Sequence, residues 1–359
     1  MNDDDCLKLT TYFGERDRTE DRLLADELLD VYGAHRIHTS ILLRGVEGFG
    51  RLHHPHTDRL LTLSEDLPVV SIAVDRRERI EAMLEPILQI KRRGLITLER
   101  AHLLTGDIGP LALPEQRHEA TKLTVYVGRQ QRVYRMPAYA AICDLLYRRG
   151  IAGATVLLGV DGTDRGRRTR ARFFASNADV PMMIVAVGAG ERIAKVLPEL
   201  GGLLHDPLLT LERVLVCKRD GELLAAPHIV SGTDEHGLAI WQKLTVYASQ
   251  SATHDGRSLS IELVRRLRHS QSAGATSLRG IWGFHGDHAP HGDRFFQLRR
   301  HVPVVTITVD TPQTAAASFA IIDELTAQQG LVTSELVPAM TAISSSKTVG
   351  GLKLARHRH

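Results

Sequence analysis

The sequence is poor in cysteine, with only Cys6, Cys143 and Cys217 in 359 residues. The count is odd and no CxxC pair occurs, which argues against a disulfide framework or a cysteine zinc site and fits a reducing cytosol. Neither sign of charge dominates: 45 Lys and Arg face 42 Asp and Glu, a net +3. That excess is too small and too scattered for a nucleic-acid-binding protein. Long hydrophobic runs are missing. The longest apolar-rich stretch, Val180 to Gly190, falls far short of the roughly 20 residues that span a bilayer. The first residues, Met1-Asn2-Asp3-Asp4-Asp5, are acidic and carry no apolar signal segment. The expectation is a soluble, cytoplasmic protein that is not membrane-inserted. Catalytic patterns are also missing, with no G-x-S-x-G, no H-E-x-x-H and no cysteine with an evident histidine partner. The chain therefore reads as a non-enzyme without a resident cofactor. Its 43% apolar and 24% charged residues are ordinary globular values.

Internal repetition is the strongest signal. The string Lys8-Leu9-Thr10-Thr11-Tyr12 returns as Lys122-Leu123-Thr124-Val125-Tyr126 and as Lys243-Leu244-Thr245-Val246-Tyr247. A second anchor, Asp66-Leu67-Pro68-Val69-Val70, returns as Asp179-Val180-Pro181-Met182-Met183 and His301-Val302-Pro303-Val304-Val305. A third, Gly94-Leu95-Ile96-Thr97, returns as Pro207-Leu208-Leu209-Thr210 and Gly330-Leu331-Val332-Thr333. The first anchor recurs after 114 and 121 residues, the second after 113 and 122. So long a period means tandem domains and not a solenoid. The predicted repeats are 1–105, 119–217 and 240–340, with linkers near Thr105–Ala120 and Lys218–Ile240 and a basic, disordered tail over 341–359.

Within a copy, Leu9, Thr11 and Phe13 alternate with Lys8, Thr10 and Tyr12, which predicts a strand with one buried face. Helices are predicted over Arg22–Tyr32 and from Pro137 to Gly150. His38–Leu43 and Val69–Val74 read as strands with a long Gly-, His- and Arg-rich loop between them. Ile80, Met83, Leu84, Ile87 and Leu88 form one helical face interrupted by Pro86. A fourth strand begins at Leu95. The order β-α-β-loop-β-α-β is the ferredoxin-like, α+β pattern. Such a sheet leaves one face bare, and the neighbouring copy is its natural cover. The expected architecture is a closed, roughly three-fold ring of these domains, with the sheets facing inward.

The segments Lys122–Gly128, Gly150–Val156, Arg44–Gly50 and Leu63–Pro68 resemble the PII-like proteins of domain of unknown function 190, and the resemblance covers all three copies. It implies an intramolecular pseudo-trimer of PII-like units. It also implies a regulatory ligand, an adenine nucleotide, in clefts between repeats, and a partner protein such as a membrane transporter or channel engaged by the long loops. Candidate ligand-binding residues are then Arg16, Arg44, Gly45, Glu47, Gly48, Phe49, Gly50 and His56 in copy one, and Arg279, Gly280, Gly283, Phe284 and His291 in copy three. Copy two departs from this set, with Leu158 and Thr169 at the Arg and His positions. The divergence predicts fewer than three tight sites per chain, with the cleft using copy two's loop the weakest.

Read without the resemblance, the Gly-rich loop starts are flexible turns with a solvated Arg. The loop histidines His53, His54, His56, His285, His288 and His291 offer an alternative, a metal-binding protein resembling copper-tolerance PII relatives. Their spacing matches no zinc signature, and solvated or phosphate-facing imidazoles are the better reading. The cluster Arg165, Arg167, Arg168, Arg170 and Arg172 reads as a solvated loop. Gly45–Pro55, Asp161–Arg172 and Gly280–Gly292 are expected to be the least ordered internal segments without ligand.

Overall fold

The computed structural model describes residues 6–50, 55–57, 66–91, 93–111, 113, 119–164, 166–168, 180–228, 230–285, 290–292, 302–344 and 347–356, with 55–57, 164, 291 and 292 described as backbone alone. The structure mixes α and β and is strand-rich, with six helices among these residues. The first repeat contains β1 (Cys6–Gly14), α1 (Leu24–Ala34), β2 (Thr39–Phe49), β3 (Pro68–Arg76), α2 (Arg77–Ile90) and β4 (Gly94–Arg100). The second contains β5 (Glu119–Gly128), α3 (Ala138–Arg148), β6 (Gly153–Leu158), β7 (Pro181–Gly188), α4 (Gly190–Leu203) and β8 (Leu208–Arg219). The third contains β9 (Trp241–Ser249), α5 (Leu259–His269), β10 (Ala275–Arg279), β11 (Pro303–Asp310), α6 (Pro312–Leu325) and β12 (Leu331–Val337).

In each repeat the second strand pairs with the third, the third with the first and the first with the fourth, all antiparallel. Period-two alternation aims Leu7 and Leu9 at the repeat's own helices, where they pack with Leu28, Tyr32, Met83 and Ile87. The opposite face is also buried, against the expectation of one buried face: β1 is closed from water along most of both sides. Its outer side joins a cluster drawn from all three repeats, including Ile41, Val70, Tyr126, Met183 and Leu278.

Two sets of strand exchange link the repeats. Past β4, His102–Thr105 pairs with Leu208–Leu211 of β8, whose far end, Leu215–Arg219, pairs with β12. Past β12, Ala339–Ile343 returns to pair with β4. The second strands run the other way: Asp161–Asp164 lies along β2, Trp282–His285 along β6, and the end of β2 along β10.

These pairings correct three expectations. The segment predicted as a disordered tail forms Ala339–Ser344 and Lys347–Gly351, a hairpin hydrogen-bonded onto β4. Leu352 and Leu354 then pack on the first repeat, and Ala355 is fully buried. The predicted linkers contain strand, because β8 runs to Arg219 and β5 begins at Glu119. The long loops begin as paired strands, since sheet edges left open by one repeat are satisfied by the next. The rest of those loops, including Arg51–His54, Arg165 and Thr169–Arg172, lies outside the described residues.

Candidate functional site

The lysines of the first anchor in all three copies meet in one buried cluster. Lys8, Lys122 and Lys243 project from the first strands toward Glu99, Glu212 and Glu335 on the fourth strands. Lys8 pairs with Glu99 at 3.1 Å, Lys122 with Glu212 at 2.7 Å and Lys243 with Glu335 at 2.9 Å, each within a repeat. Three further pairs cross between repeats: Lys8 with Glu212, Lys122 with Glu335 and Lys243 with Glu99. The six side chains form a closed alternating ring, all nearly inaccessible to water. Burial alone would raise the carboxyl pKa values. The ammonium groups outweigh it, holding Glu99 well below the usual carboxylate range and Glu212 down to about 2. Oxygens of the three carboxylates lie within 4.8 Å of one another. With three ammonium groups interleaved, however, the ring is neutral and offers no surplus charge to a cation. Sequence reading singled out the lysines but missed the glutamates. The available signal was a Glu two residues after the third anchor's Thr in every copy, at Thr97, Thr210 and Thr333.

The sequence-derived ligand residues fall at the crossings between repeats. A β-carbon on Gly45 would lie 2.7 Å from Pro68 Cγ, and one on Gly48 would lie 2.6 Å from the Ala275 carbonyl oxygen. In copy three, a β-carbon on Gly280 would lie 2.8 Å from Pro303 Cγ and one on Gly283 2.3 Å from the Ala154 oxygen. Copy two has the same spacing at Gly159 and Gly162, and a β-carbon on Gly162 would lie 2.2 Å from the Ser40 oxygen. The Gly-x-x-Gly pattern therefore lets one repeat's strand pass against its neighbour and against the second anchor's proline. Phe49 is buried against Val264 and Leu267 of α5. Phe284 meets Tyr147 of α3 edge-on, ring centroids 5.4 Å apart. Both phenylalanines thus anchor neighbouring repeats. In copy two Thr163 stands in their place and its hydroxyl is 2.9 Å from Ser40 Oγ.

Arg44 is exposed and pairs with Glu15 at 2.8 Å, while the Arg16 amide donates to Asp66 at 2.6 Å, so this group gathers at the end of β1. Glu47 is half-buried, opposite Ser277 of the third repeat, and exposed Gly50 follows the strand. Arg279 is half-buried, opposite Val304. His56 lies opposite Gly48 and His291 opposite Gly283, equivalent register positions. His285 pairs with Asp220 at 3.1 Å, whereas His53, His54 and His288 lie outside the described residues. Arg168 is not a solvated loop residue. Its guanidinium meets Asp161 and Asp30 at 3.0 Å and Asp26 at 2.5 Å, which fastens copy two's hairpin to α1. The cysteines are free and buried, and burial pushes the Cys6 and Cys217 thiols up to about 12, away from thiolate chemistry.

A cavity of about 540 Å³ opens between repeats 1 and 2. His38 and Thr39, at the start of β2, form one side. The other comprises the end of β5, the hairpin from Gln131 to Tyr134, and the α4–β8 turn with His205 and Asp206. None of the sequence-derived ligand residues whose side chains are described lines it. Sequence reading missed Tyr134, His38 and His205, which belong to no shared anchor.

Comparison with known proteins gives a family match. The profile of domain of unknown function 190, described as uncharacterized ACR, matches residues 6–103, 120–216 and 241–339. Among solved structures, a crystal structure study of an anthrone oxidase-like protein is 13% identical, covering 63% of this chain and 98% of that chain. Its TM-score is 0.17, and the likeness carries no argument.

Proposed function

Because the chain belongs to the PII-like family of domain of unknown function 190, in three tandem copies, we propose that it is a non-catalytic regulatory protein. The three copies act as an intramolecular pseudo-trimer of ferredoxin-like units. The reciprocal strand exchanges and the six-membered Lys–Glu ring support this arrangement. A small ligand, an adenine nucleotide, binds in a cleft between repeats and biases the segments that follow the second strands. Those segments engage a partner protein, for which a membrane transporter or channel is the leading class. The size of the switch equals the ligand's differential affinity for the two states of those segments.

The single observation that carries the reading is the cavity shared by repeats 1 and 2. It lies where one repeat's second strand meets the next repeat's first strand and α4–β8 turn, so an occupant touches both units at once. A ligand that binds only the folded chain raises its melting temperature. Thermal unfolding of the full chain with ATP, ADP, AMP and cyclic nucleotides should give a concentration-dependent rise with at least one of them. A flat response to all would remove the nucleotide reading.

A further inference from the structure

The cavity between repeats 1 and 2 has one wall that differs in kind from its counterparts. Each repeat has a short hairpin before its first helix: Arg18–Thr19 with Arg22–Leu23, Arg132–Val133 with Met136–Pro137, and Thr253–His254 with Arg257–Ser258. The two-residue turns are Glu20-Asp21, Tyr134-Arg135 and Asp255-Gly256. Tyr134 and Arg135 both hold left-handed backbone, with φ of 47° and 72°. Turns with two left-handed residues favour Asn-Gly or Asp-Gly, and repeat 3 follows that rule at Asp255 and Gly256. Repeat 2 places two bulky residues there, and backbone strain of this kind persists where the surroundings or a function maintain it.

Packing does not compensate the strain, because Tyr134 is 86% exposed. The same tyrosine lines the cavity, beside Arg132. The cavity also presents Asp206, His38 and His205. Its volume is in the range of small-molecule sites.

Resting on the ligand-binding reading above, we infer that this cavity is a ribonucleoside monophosphate site, one per chain, in which Tyr134 stacks on the base. An exposed aromatic ring gives a flat, sequence-tolerant platform for a heterocycle. The Arg132 guanidinium supplies a charge-assisted donor to phosphate. Asp206 supplies an acceptor for ribose hydroxyls. Among the described residues, the formal charges lining the cavity are one Arg and one Asp, with two imidazoles beside them. That set suits a monophosphate better than the added negative charge of a triphosphate.

The corresponding turns of repeats 1 and 3 carry Glu20 and Asp255, which offer no ring and repel phosphate. The ligand is thereby assigned to a cleft whose walls come mostly from repeat 2.

The test is calorimetric titration of the full chain with AMP, for wild type, Arg132→Ala and the double variant Tyr134→Asn with Arg135→Gly. The double variant installs the favoured turn pair, so its melting temperature should rise while AMP affinity falls at least tenfold. Tyr134→Phe keeps the ring and should keep the affinity. Arg132→Ala, which also removes the bond that Arg132 donates to the Arg135 carbonyl, should weaken AMP at least tenfold in a chain that still unfolds in one cooperative transition. If wild type binds AMP and both the double variant and Arg132→Ala bind it equally well, the site lies elsewhere, and this inference falls while the nucleotide reading stands. If wild type binds other adenine nucleotides but not AMP, the monophosphate assignment is overturned. If wild type binds none of them, the nucleotide reading fails and takes this inference with it.

Discussion

Lys122 of the second repeat is paired with Glu335 of the third, 213 residues further along the chain. The same ammonium holds Glu212 of its own repeat at 2.7 Å. Each member of the ring thus joins a local contact to a long-range one, and removal of any carboxylate leaves two buried ammonium groups short of a partner. Breaking a buried ion pair by deleting one side costs about 3–5 kcal/mol. Glu212→Gln should lower the unfolding free energy by that order at pH 7, measured by urea denaturation.

The pH dependence of that effect has a definite sign. The Glu212 carboxyl is held down to about 2 in the folded chain, against an ordinary 4.5. Its contribution is therefore complete above pH 4.5 and is lost as the pH falls from 4.5 toward 2. The difference between wild type and Glu212→Gln should shrink across that window. A difference constant from pH 7 to pH 2.5 would show that the ring does not act through charge.

Lys91 should behave oppositely. It is buried at the end of α2, its Nζ donates to the Tyr12 carbonyl at 3.0 Å, and it lies 5.2 Å from the centre of the Phe13 ring. Burial pushes its ammonium down to about 7, and Asp17 only partly opposes this. An unfolded lysine keeps its ordinary 10.5, so the unfolded chain binds more protons between pH 7 and 10.5. Through this group, stability rises with pH across that range and is lowest below it. Lys91→Met should flatten the rise and stabilise the chain by about 2–4 kcal/mol at pH 6. Equal stability of the two proteins at pH 6 and pH 10 would refute the assignment.

Gly162→Ala tests the crossing between repeats 1 and 2. A methyl group there would sit 2.2 Å from the Ser40 oxygen and 2.6 Å from Pro181 Cγ. Overpacking of this kind typically costs about 1–3 kcal/mol. Hydrogen exchange should show lost protection at Thr39–Leu42 and Asp161–Asp164, which pair across the crossing. Unchanged protection would mean that the crossing accepts the methyl group without opening.

Local chemistry made the repeats and the β-α-β-β-α-β order legible in the sequence. Strand alternation and helical spacing act between residues at most eight positions apart, so Leu9, Phe13, Ile80 and Met83 announce their faces without help. The three anchors were equally visible, but their meaning was not. Pro68, Pro181 and Pro303 pack against glycines of the crossing strands, and the lysines find glutamates of two different repeats. Loop comparison made copy two the outlier because it lacks the Arg and Phe of the others. The crossing shows that all three copies share the Gly-x-x-Gly needed for close backbone approach, and that Thr163 replaces the Phe with hydrogen bonds.

The final hairpin reads as a tail because Ser- and Lys-rich residues show no apolar period. It is ordered because the edge of β4, some 240 residues earlier in the chain, has backbone groups that only a returning strand can satisfy. The composition of each strand was settled residue by residue along the chain. Which edge each strand completes, which carboxylate each lysine meets and which cleft remains open were settled only when three nearly alike sheets closed on one another. A hydrogen-bonding edge has no sequence of its own, and only the folded arrangement determines what covers it.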